Sequence, residues 1–579
     1  MSGKQILAKI NRIRNWQAAL IIVALGLAVY AMGLNGSFFA DDQNQIVNNI
    51  PVHSISNITE FFEGSTFFNG QQSSLAGGNY YRPLMTTVFS LVYSVFGAQP
   101  FYFHLVELLL TIGSAFLLFL FLRYSFPRVL ALALSLVFLV HPMNSQNVYY
   151  ISATQDALYL FFGILALWIA LRFGSVRSLI VVATCLFLSL LSKETGVLFV
   201  TMAAVYFFRF DRRRLLPFIG IIALPLILYF ALRIHAVGFT VGAKIAPIDS
   251  TDLAGRLLTA PSAILFYLVK FVFPLSLALG YYWTFTTFSV QHVLLPFLID
   301  GAVIGLAVFL GRVVHRQSSL GQYYSYQFFA VWTALGLLAC SQIVPLDMTA
   351  CVTWFSFTMV GVLGMIGVLL ASSRIGMGWF LATTTVFVVL LGFRTAIRGL
   401  DWENQQAFSY KEITASPEDF GAYNDVAYGL IKSAQYKSAI GYATKSIQIY
   451  PDTSNYLNLG YALAHLGDYS GAMNAYNHGL LYGDNYLLYG DKGWLTLVYG
   501  DDTTNLHFLE QGVQKFPQDP ALWMYLAVFQ QRHGDNEAAK TSIANAEQYG
   551  PGQIPQFVVD EITSNQPIDL NLGTTGNSN

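Results

Sequence analysis

Two adjacent carboxylates, Asp41 and Asp42, lie in the stretch FFADDQNQIVNN. Neighbouring carboxylates repel, which raises one pKa and prepares a base for proton abstraction. The plainer reading is a solvated loop or a helix N-cap. Other ionisable residues follow at intervals. Tyr80-Tyr81-Arg82-Pro83 precedes a short amphipathic stretch, and His104 and Glu107 are spaced one helical turn apart. His141-Pro142 ends one apolar run, Asp156 opens the next, and Ser192-Lys193-Glu194 separates two more. Ionisable groups at membrane depth are expensive, so each is a candidate for function. Taken singly, each could equally be an interfacial anchor or an ion pair, as Lys193 and Glu194 could be. The three cysteines, Cys185, Cys340 and Cys351, make neither a disulfide framework nor a zinc spacing.

The elements that must position these groups are apolar helices. Of 579 residues, 55% are hydrophobic and 11% charged. Soluble chains carry roughly 25% charge, so a wholly soluble protein is excluded. The net charge of −1 hides a split. Residues 1–400 hold 23 Lys/Arg and 12 Asp/Glu, whereas residues 401–579 hold 8 and 20. Apolar runs predict about eleven membrane spans, near 16–34, 101–122, 129–147, 157–171, 178–192, 195–210, 215–234, 290–311, 326–344, 352–371 and 376–393. The first follows Lys4, Lys9, Arg12 and Arg14 and reads as an uncleaved anchor. With residues 1–15 in the cytoplasm, 15 basic residues fall on the inner side of this half and 8 on the outer, as the positive-inside rule requires. Residues 253–280 resist the scheme because they carry Arg256, Lys270 and a Pro274 break. They read as a re-entrant or partly submerged segment on the outer side. The listed acids and bases then fall at or near one outer level, and everything after residue 394 lies outside the cytoplasm.

The second half has a period. Prolines fall at 417, 451, 517 and 551, spaced 34, 66 and 34, and Gly483-Asp484 fills the skipped mark. Within each unit the pattern is helix, turn, helix. This is the tetratricopeptide period, with about four repeats over 401–550. The third unit, 487–516, is the poorest match. Residues 551–579 form a polar tail, expected to be disordered at its end. The repeats read either as an acidic spacer or as a concave peptide-binding surface.

The motifs in order resemble the transmembrane-and-tetratricopeptide-repeat O-mannosyltransferases, within the GT-C superfamily of polyprenyl-phosphate-sugar glycosyltransferases. The residues that carry the resemblance are FADDQNQIVNN with NITEFF, YYRPL, FHLVELLL, HPMNSQNVYYISATQDALYLFF, LLSKETGV, FPLSLALGYYW and DWENQQAF, followed by the repeats. The resemblance implies an all-α fold: a polytopic GT-C-like helical domain over 16–400, then an extracytoplasmic α-solenoid. It implies transfer of one sugar, mannose, from a polyprenyl phosphate to a hydroxyl of an extracytoplasmic protein. An acidic residue in the first outer loop activates the acceptor in this pattern. That position matches Asp41, with Asp42 as its helper. The leaving phosphate needs cations, and Arg82, Lys193 and Arg233 are the candidates. His104, Glu107, His141, Asp156 and Glu194 would support them. Tyr281 and Tyr282 could stack on a sugar or mark the aromatic belt. No metal or other cofactor is expected.

Two departures qualify the match. Gln155-Asp156 stands where the family usually has Arg before Asp. Val352, Thr353 and Ser356 stand where it often has a Glu-Arg pair and a Tyr. The partners implied are the lipid-linked sugar, a protein acceptor held by the repeats, and membrane lipids, with no nucleic acid. The membrane is expected to be a prokaryotic plasma membrane, on the strength of the short loops and the absence of a retention signal, with an ER membrane as the alternative. Two rival functions remain: an oligosaccharyltransferase or ligase using a pyrophosphate-linked glycan, and a non-enzymatic repeat scaffold for envelope or pilus assembly.

Overall fold

The computed structural model describes residues 13–67, 80–239, 246–373, 376–499, 503–566 and 568. Lys4, Lys9, Arg12, Lys244 and Arg374, used in the charge count, lie outside them. Among the described residues the regular structure is all helical, apart from one isolated antiparallel bridge between Tyr281 and Ala350. The chain divides into two compact units, Met1–Glu418 and Asp419–Asn579.

Among the described residues of the first unit, eight helices are long and apolar enough to cross a membrane, or nine if the bent pair Arg128–Val140 and Pro142–Tyr149 is one span. Three other expected spans are also helices but fall short of that test. Ser178–Ser192 has 15 residues and Val197–Phe210 has 14. At 1.5 Å per residue each covers roughly 22 Å, less than the ~30 Å hydrocarbon core. Leu320–Ala339 is long enough, but its first turns carry Gln322, Tyr323, Tyr324 and Gln327.

The doubtful segment proves to be one unbroken helix, Leu253–Val272, with Pro261 inside it. Its length and composition would allow it to span. Its residues also hold neighbouring connections. Thr259 accepts from Phe285 N, Tyr267 Oη bonds Cys351, and the Phe271 carbonyl bonds His141. Pro83–Phe96 starts at Arg82, and its last ring stacks on Tyr102 at the start of the next helix.

The unit boundary falls 18 residues beyond the charge switch at residue 400. The helix Gln405–Ala415 is held by the membrane unit. Glu412 Oε1 lies 3.3 Å from the Arg398 guanidinium, and the Phe408 ring lies 4.5 Å from Trp402.

The second unit is four helix pairs: Phe420–Lys432 with Tyr436–Ile449, Thr453–His465 with Tyr469–Gly479, Tyr486–Tyr499 with Thr503–Lys515, and Pro520–Arg532 with Asn536–Tyr549. The first helices begin 33, 33 and 34 residues apart, so the poorly matching third unit keeps the register. Asp419, Asp452, Asp468, Asp519 and Asp535 cap helix N-termini through amides two or three residues on. Part of the acidic excess is therefore capping chemistry. Close packing requires Gly460, where a Cβ would come within 2.4 Å of the Tyr476 ring. The expected polar tail instead begins with a helix, Gln556–Thr563, which buries Val558, Val559 and Ile562. An amphipathic turn can cap the exposed apolar edge of the last pair. Residues 569–579 lie outside the described residues.

Candidate active site

The first long helix ends in a 3-10 turn, Ala31–Asn35. Ala40 then adopts a left-handed backbone (φ 49°), uncommon for a residue with a Cβ, and turns the chain so that the two carboxylates diverge. Asp42 is fully buried. Its Oδ1 accepts from Ser152 N at 2.8 Å and Ser152 Oγ at 2.5 Å, and its Oδ2 accepts from Phe39 N at 3.3 Å. Burial pushes its carboxyl up to about 7 against those hydrogen bonds. Asp42 thus staples the first loop to the 150–153 turn.

Asp41 is only partly buried and takes a hydrogen bond from the Tyr150 side chain. Burial raises its pKa, and the nearby Asp347 adds to the effect. The Tyr150 hydrogen bond and the Arg82 charge oppose it. An aromatic frame fixes this arrangement. Phe39 stacks on Tyr150 at 5.9 Å, and both rings contact Trp402, at 5.5 and 5.7 Å.

The cations stand opposite. The Arg82 guanidinium covers the Tyr80 ring at 4.4 Å, and its Nε lies 3.7 Å from Glu194 Oε2. Arg82 Nε is buried and makes no hydrogen bond. A largely enclosed guanidinium presents a planar fork of donors that suits an oxyanion. Asp347 and Asp156 also contribute to its field. The Tyr80 hydroxyl donates to Asp347 Oδ2 at 2.7 Å. Lys193 Nζ lies 2.7 Å from Asp156 Oδ1, both buried. The cation beside Asp156 therefore comes from the helix connection, not from position 155. Among the described residues, no three His, Cys, Asp or Glu side chains are placed to hold a metal ion.

The structure thus brings Asp41, Asp42, Arg82, Asp156, Lys193 and Glu194 into one cluster. His104 and Glu107 lie behind Asp42. His104 Nδ1 bonds the Val148 carbonyl at 2.9 Å and approaches Glu107 Oε2 at 3.4 Å, while Thr154 Oγ1 donates to Glu107 Oε1 at 3.0 Å. Both are buried and anchor the 148–154 segment.

The remaining candidates take other places. Both nitrogens of His141 are used by backbone: Nε2 on the Phe271 carbonyl at 3.0 Å, Nδ1 accepting from Met143 N at 3.3 Å. Its ring helps line an apolar cavity of about 290 Å³ together with Val272, Leu363, Phe380 and Phe387. Arg233 closes its own helix on the Gly238 carbonyl at 3.3 Å. Its link to the cluster runs through Tyr229, which also feels Glu194 and Arg82. The Tyr281 ring packs on Phe266 at 4.5 Å, its hydroxyl accepts from Ala278 N, and its backbone pairs with Ala350. The Tyr282 hydroxyl folds back over Gly280.

Tyr150, Ser152, Asp347 and Trp402 were not singled out from the sequence. Tyr150, Ser152 and Trp402 lie inside the motifs quoted for the resemblance, where only charged neighbours drew notice. Asp347 carried one signal, a lone carboxylate between two apolar helices.

Comparison with known proteins bears on the cluster. The chain is 27% identical over 237 residues to Protein O-mannosyl-transferase F38B6.6 of Caenorhabditis elegans, covering 40% of this chain and 33% of that one. It is 29% identical over 216 residues to Protein O-mannosyl-transferase TMTC2 of Mus musculus, covering 34% and 25%. It is 28% identical over 208 residues to Protein O-mannosyl-transferase TMTC1 of Homo sapiens, covering 33% and 23%. Its curated homologues are TMTC-type protein O-mannosyl-transferases. The resemblance seen in the motifs is therefore real sequence similarity. The chain spans about a quarter to a third of the length of these relatives. No family model matches it.

Proposed function

We propose that the chain is an integral membrane glycosyltransferase that moves one mannose from a polyprenyl phosphate to a hydroxyl of a protein. The observation that carries this reading is the juxtaposition of a partly exposed carboxylate, Asp41, with a largely enclosed guanidinium, Arg82, whose charge acts on it. The acceptor O–H gives its proton to Asp41, and the acceptor oxygen forms a bond to the anomeric carbon. The bond from that carbon to the phosphate oxygen breaks, and its electron pair leaves with the polyprenyl phosphate. Arg82 and Lys193 stabilise the charge developing on the phosphate. Asp42 is too enclosed to meet substrate, and its part is to hold the loop. The names of the relatives support the sugar and the protein acceptor.

The reading also needs a topology. If Leu253–Val272 does not cross and Ser178–Ser192, Val197–Phe210 and Leu320–Ala339 do, the crossings number eleven, counting the bent pair as one. An odd number puts the first and last helices' outer termini on opposite sides. The basic bias then places the cluster and the second unit outside the cytoplasm.

The test is label transfer from radiolabelled polyprenyl-phosphate-mannose to protein in a host membrane extract, with purified wild type beside Arg82→Gln. Transfer by the wild type, lost in the variant, is expected. No transfer from this donor, or from glucose, galactose or pyrophosphate-linked donors, would overturn the transferase reading in favour of a scaffold. Transfer only from a pyrophosphate-linked glycan would favour a ligase.

A further inference from the structure

The apolar cavity of about 290 Å³ beside His141 is lined by Leu134, Val137, Phe271, Leu363, Phe380 and Phe387, among others. His141 and Thr383 on its wall spend their polar atoms on backbone. An apolar recess of this kind holds hydrocarbon rather than water. Phe380, Phe387 and Arg394 are spaced seven residues apart on the helix Met377–Leu400. Seven residues are close to two turns, so the three share a face, and Arg394 stands about 10 Å along the axis beyond Phe387.

A second cation meets Arg394 there. Arg394 Nε and Nη2 donate to the Leu275 carbonyl at 3.0 and 2.8 Å. Lys270 Nζ donates to the next carbonyl, that of Ser276, at 2.5 Å. Neighbouring residues are about 3.8 Å apart at Cα, so the two carbonyls hold the two cations side by side. Lys270 also immediately precedes Phe271 and Val272, which line the cavity. Arg398, one turn beyond Arg394, is neutralised by Asp401 and Glu412. Lys270 and Arg394 are not: both are partly exposed, and among the described residues neither forms an ion pair with a carboxylate. The Lys270 ammonium has only the Phe266 and Tyr281 rings, at 5.5 and 5.8 Å, to offset its charge. Like charges held together repel, and an anion between them removes the repulsion.

We propose that this groove holds an anionic membrane phospholipid, with one acyl chain in the cavity and the headgroup phosphate between Lys270 and Arg394. Charge complementarity fixes the headgroup, since basic pockets beside membrane helices take anionic headgroups and a guanidinium fork suits phosphate oxygens. Length fits the chain. One leaflet of the hydrocarbon core is about 15 Å deep, and Arg394 stands about 10 Å from Phe387 and about 20 Å from Phe380 along the helix. The lipid steadies the connection that carries Leu275 and Ser276, whose later residues reach Glu412 through Leu279 N and Ala350 through Tyr281. It uses neither Arg82 nor Lys193, so the proposal does not rest on the transferase reading.

The test is native mass spectrometry of the full-length protein in detergent, stripped of lipid and titrated with phosphatidylglycerol, phosphatidylcholine or polyprenyl phosphate. Phosphatidylglycerol is expected to add one tightly held molecule and to be kept in preference to phosphatidylcholine. Lys270→Gln with Arg394→Gln should erase that preference, by roughly fivefold for each cation. Lys270→Arg with Arg394→Lys should keep it, because the charges remain. Thr384→Trp, at a partly exposed position on the cavity wall, should weaken both phospholipids alike. Equal retention of the two phospholipids by the wild type, or an unchanged preference in the double glutamine variant, would overturn the proposal. So would displacement of phosphatidylglycerol by polyprenyl phosphate that survives Arg82→Gln, since the groove would then belong to the sugar carrier.

Discussion

The cluster in the membrane unit that carries Asp41 and the stack of helix pairs that carries Gly460 solve opposite problems. The pairs repeat one local solution: an aspartate cap, a small residue such as Gly460 under a ring, and a 33–34-residue step. The Asp41 cluster repeats nothing. It joins Ala40, Ser152, Arg82, Glu194, Asp347 and Trp402, which come from widely separated stretches of chain, and it keeps buried polar atoms and a left-handed alanine. The contrast teaches where stability and function lie. Regular stacking tolerates local damage, whereas a convergent polar cluster fails when one member is lost.

The sharpest way to use that contrast is to remove single groups from the cluster. Asp41→Asn should lower label transfer by about 10²–10⁴-fold, the usual contribution of a general base, with thermal stability unchanged. Arg82→Gln should cost about 10²–10³-fold in kcat, as expected for a lost oxyanion donor. Arg82→Lys should recover part of it, because the charge returns but the planar fork does not. Equal rates in Arg82→Gln and wild type, from single-turnover measurements, would break the comparison at its functional end.

A pH profile sharpens it further. Burial raises the Asp41 pKa, and the base works only when ionised. Activity is therefore complete above that raised value and lost as pH falls through it. The acid limb of kcat/KM should lie above the ordinary aspartate value of about 3.9. In Asp41→Asn the limb should vanish with the activity.

The smallest effects belong to the repeats. Gly460→Ala drives a methyl into the Tyr476 ring and should cost about 1–3 kcal/mol in the unfolding of the second unit. Asp419→Ala removes a cap and should cost about 1 kcal/mol. Transfer to a short soluble acceptor peptide, with no contact to the repeats, should be unchanged in both. A variant that stops such transfer would show that the two regions are not separable in function.

The sequence was most legible where physics is local. Proline spacing marked the helix pairs to within a few residues, because turns and caps are set by neighbours. Apolar runs marked the long helices, but Arg256 and Lys270 obscured Leu253–Val272, which is a continuous helix long and apolar enough to cross a membrane. In the cluster, the charged residues Asp41, Arg82, Lys193 and Glu194 were readable from type and level. Tyr150, Ser152, Asp347 and Trp402 were not, because their part depends on contacts more than a hundred residues away in sequence. His141 misled for the converse reason: a histidine at a helix end looks reactive, yet both nitrogens are spent on backbone.

The central claim is that adjacent Asp41 and Asp42 have different tasks, one chemical and one structural. The most direct measurement compares Asp41→Asn with Asp42→Asn for both mannose transfer and thermal unfolding. Transfer should collapse in Asp41→Asn with its melting temperature intact, whereas Asp42→Asn should keep measurable transfer and shift its melting temperature. Equal transfer in Asp41→Asn and wild type, or loss confined to Asp42→Asn in a fully stable protein, would contradict the account.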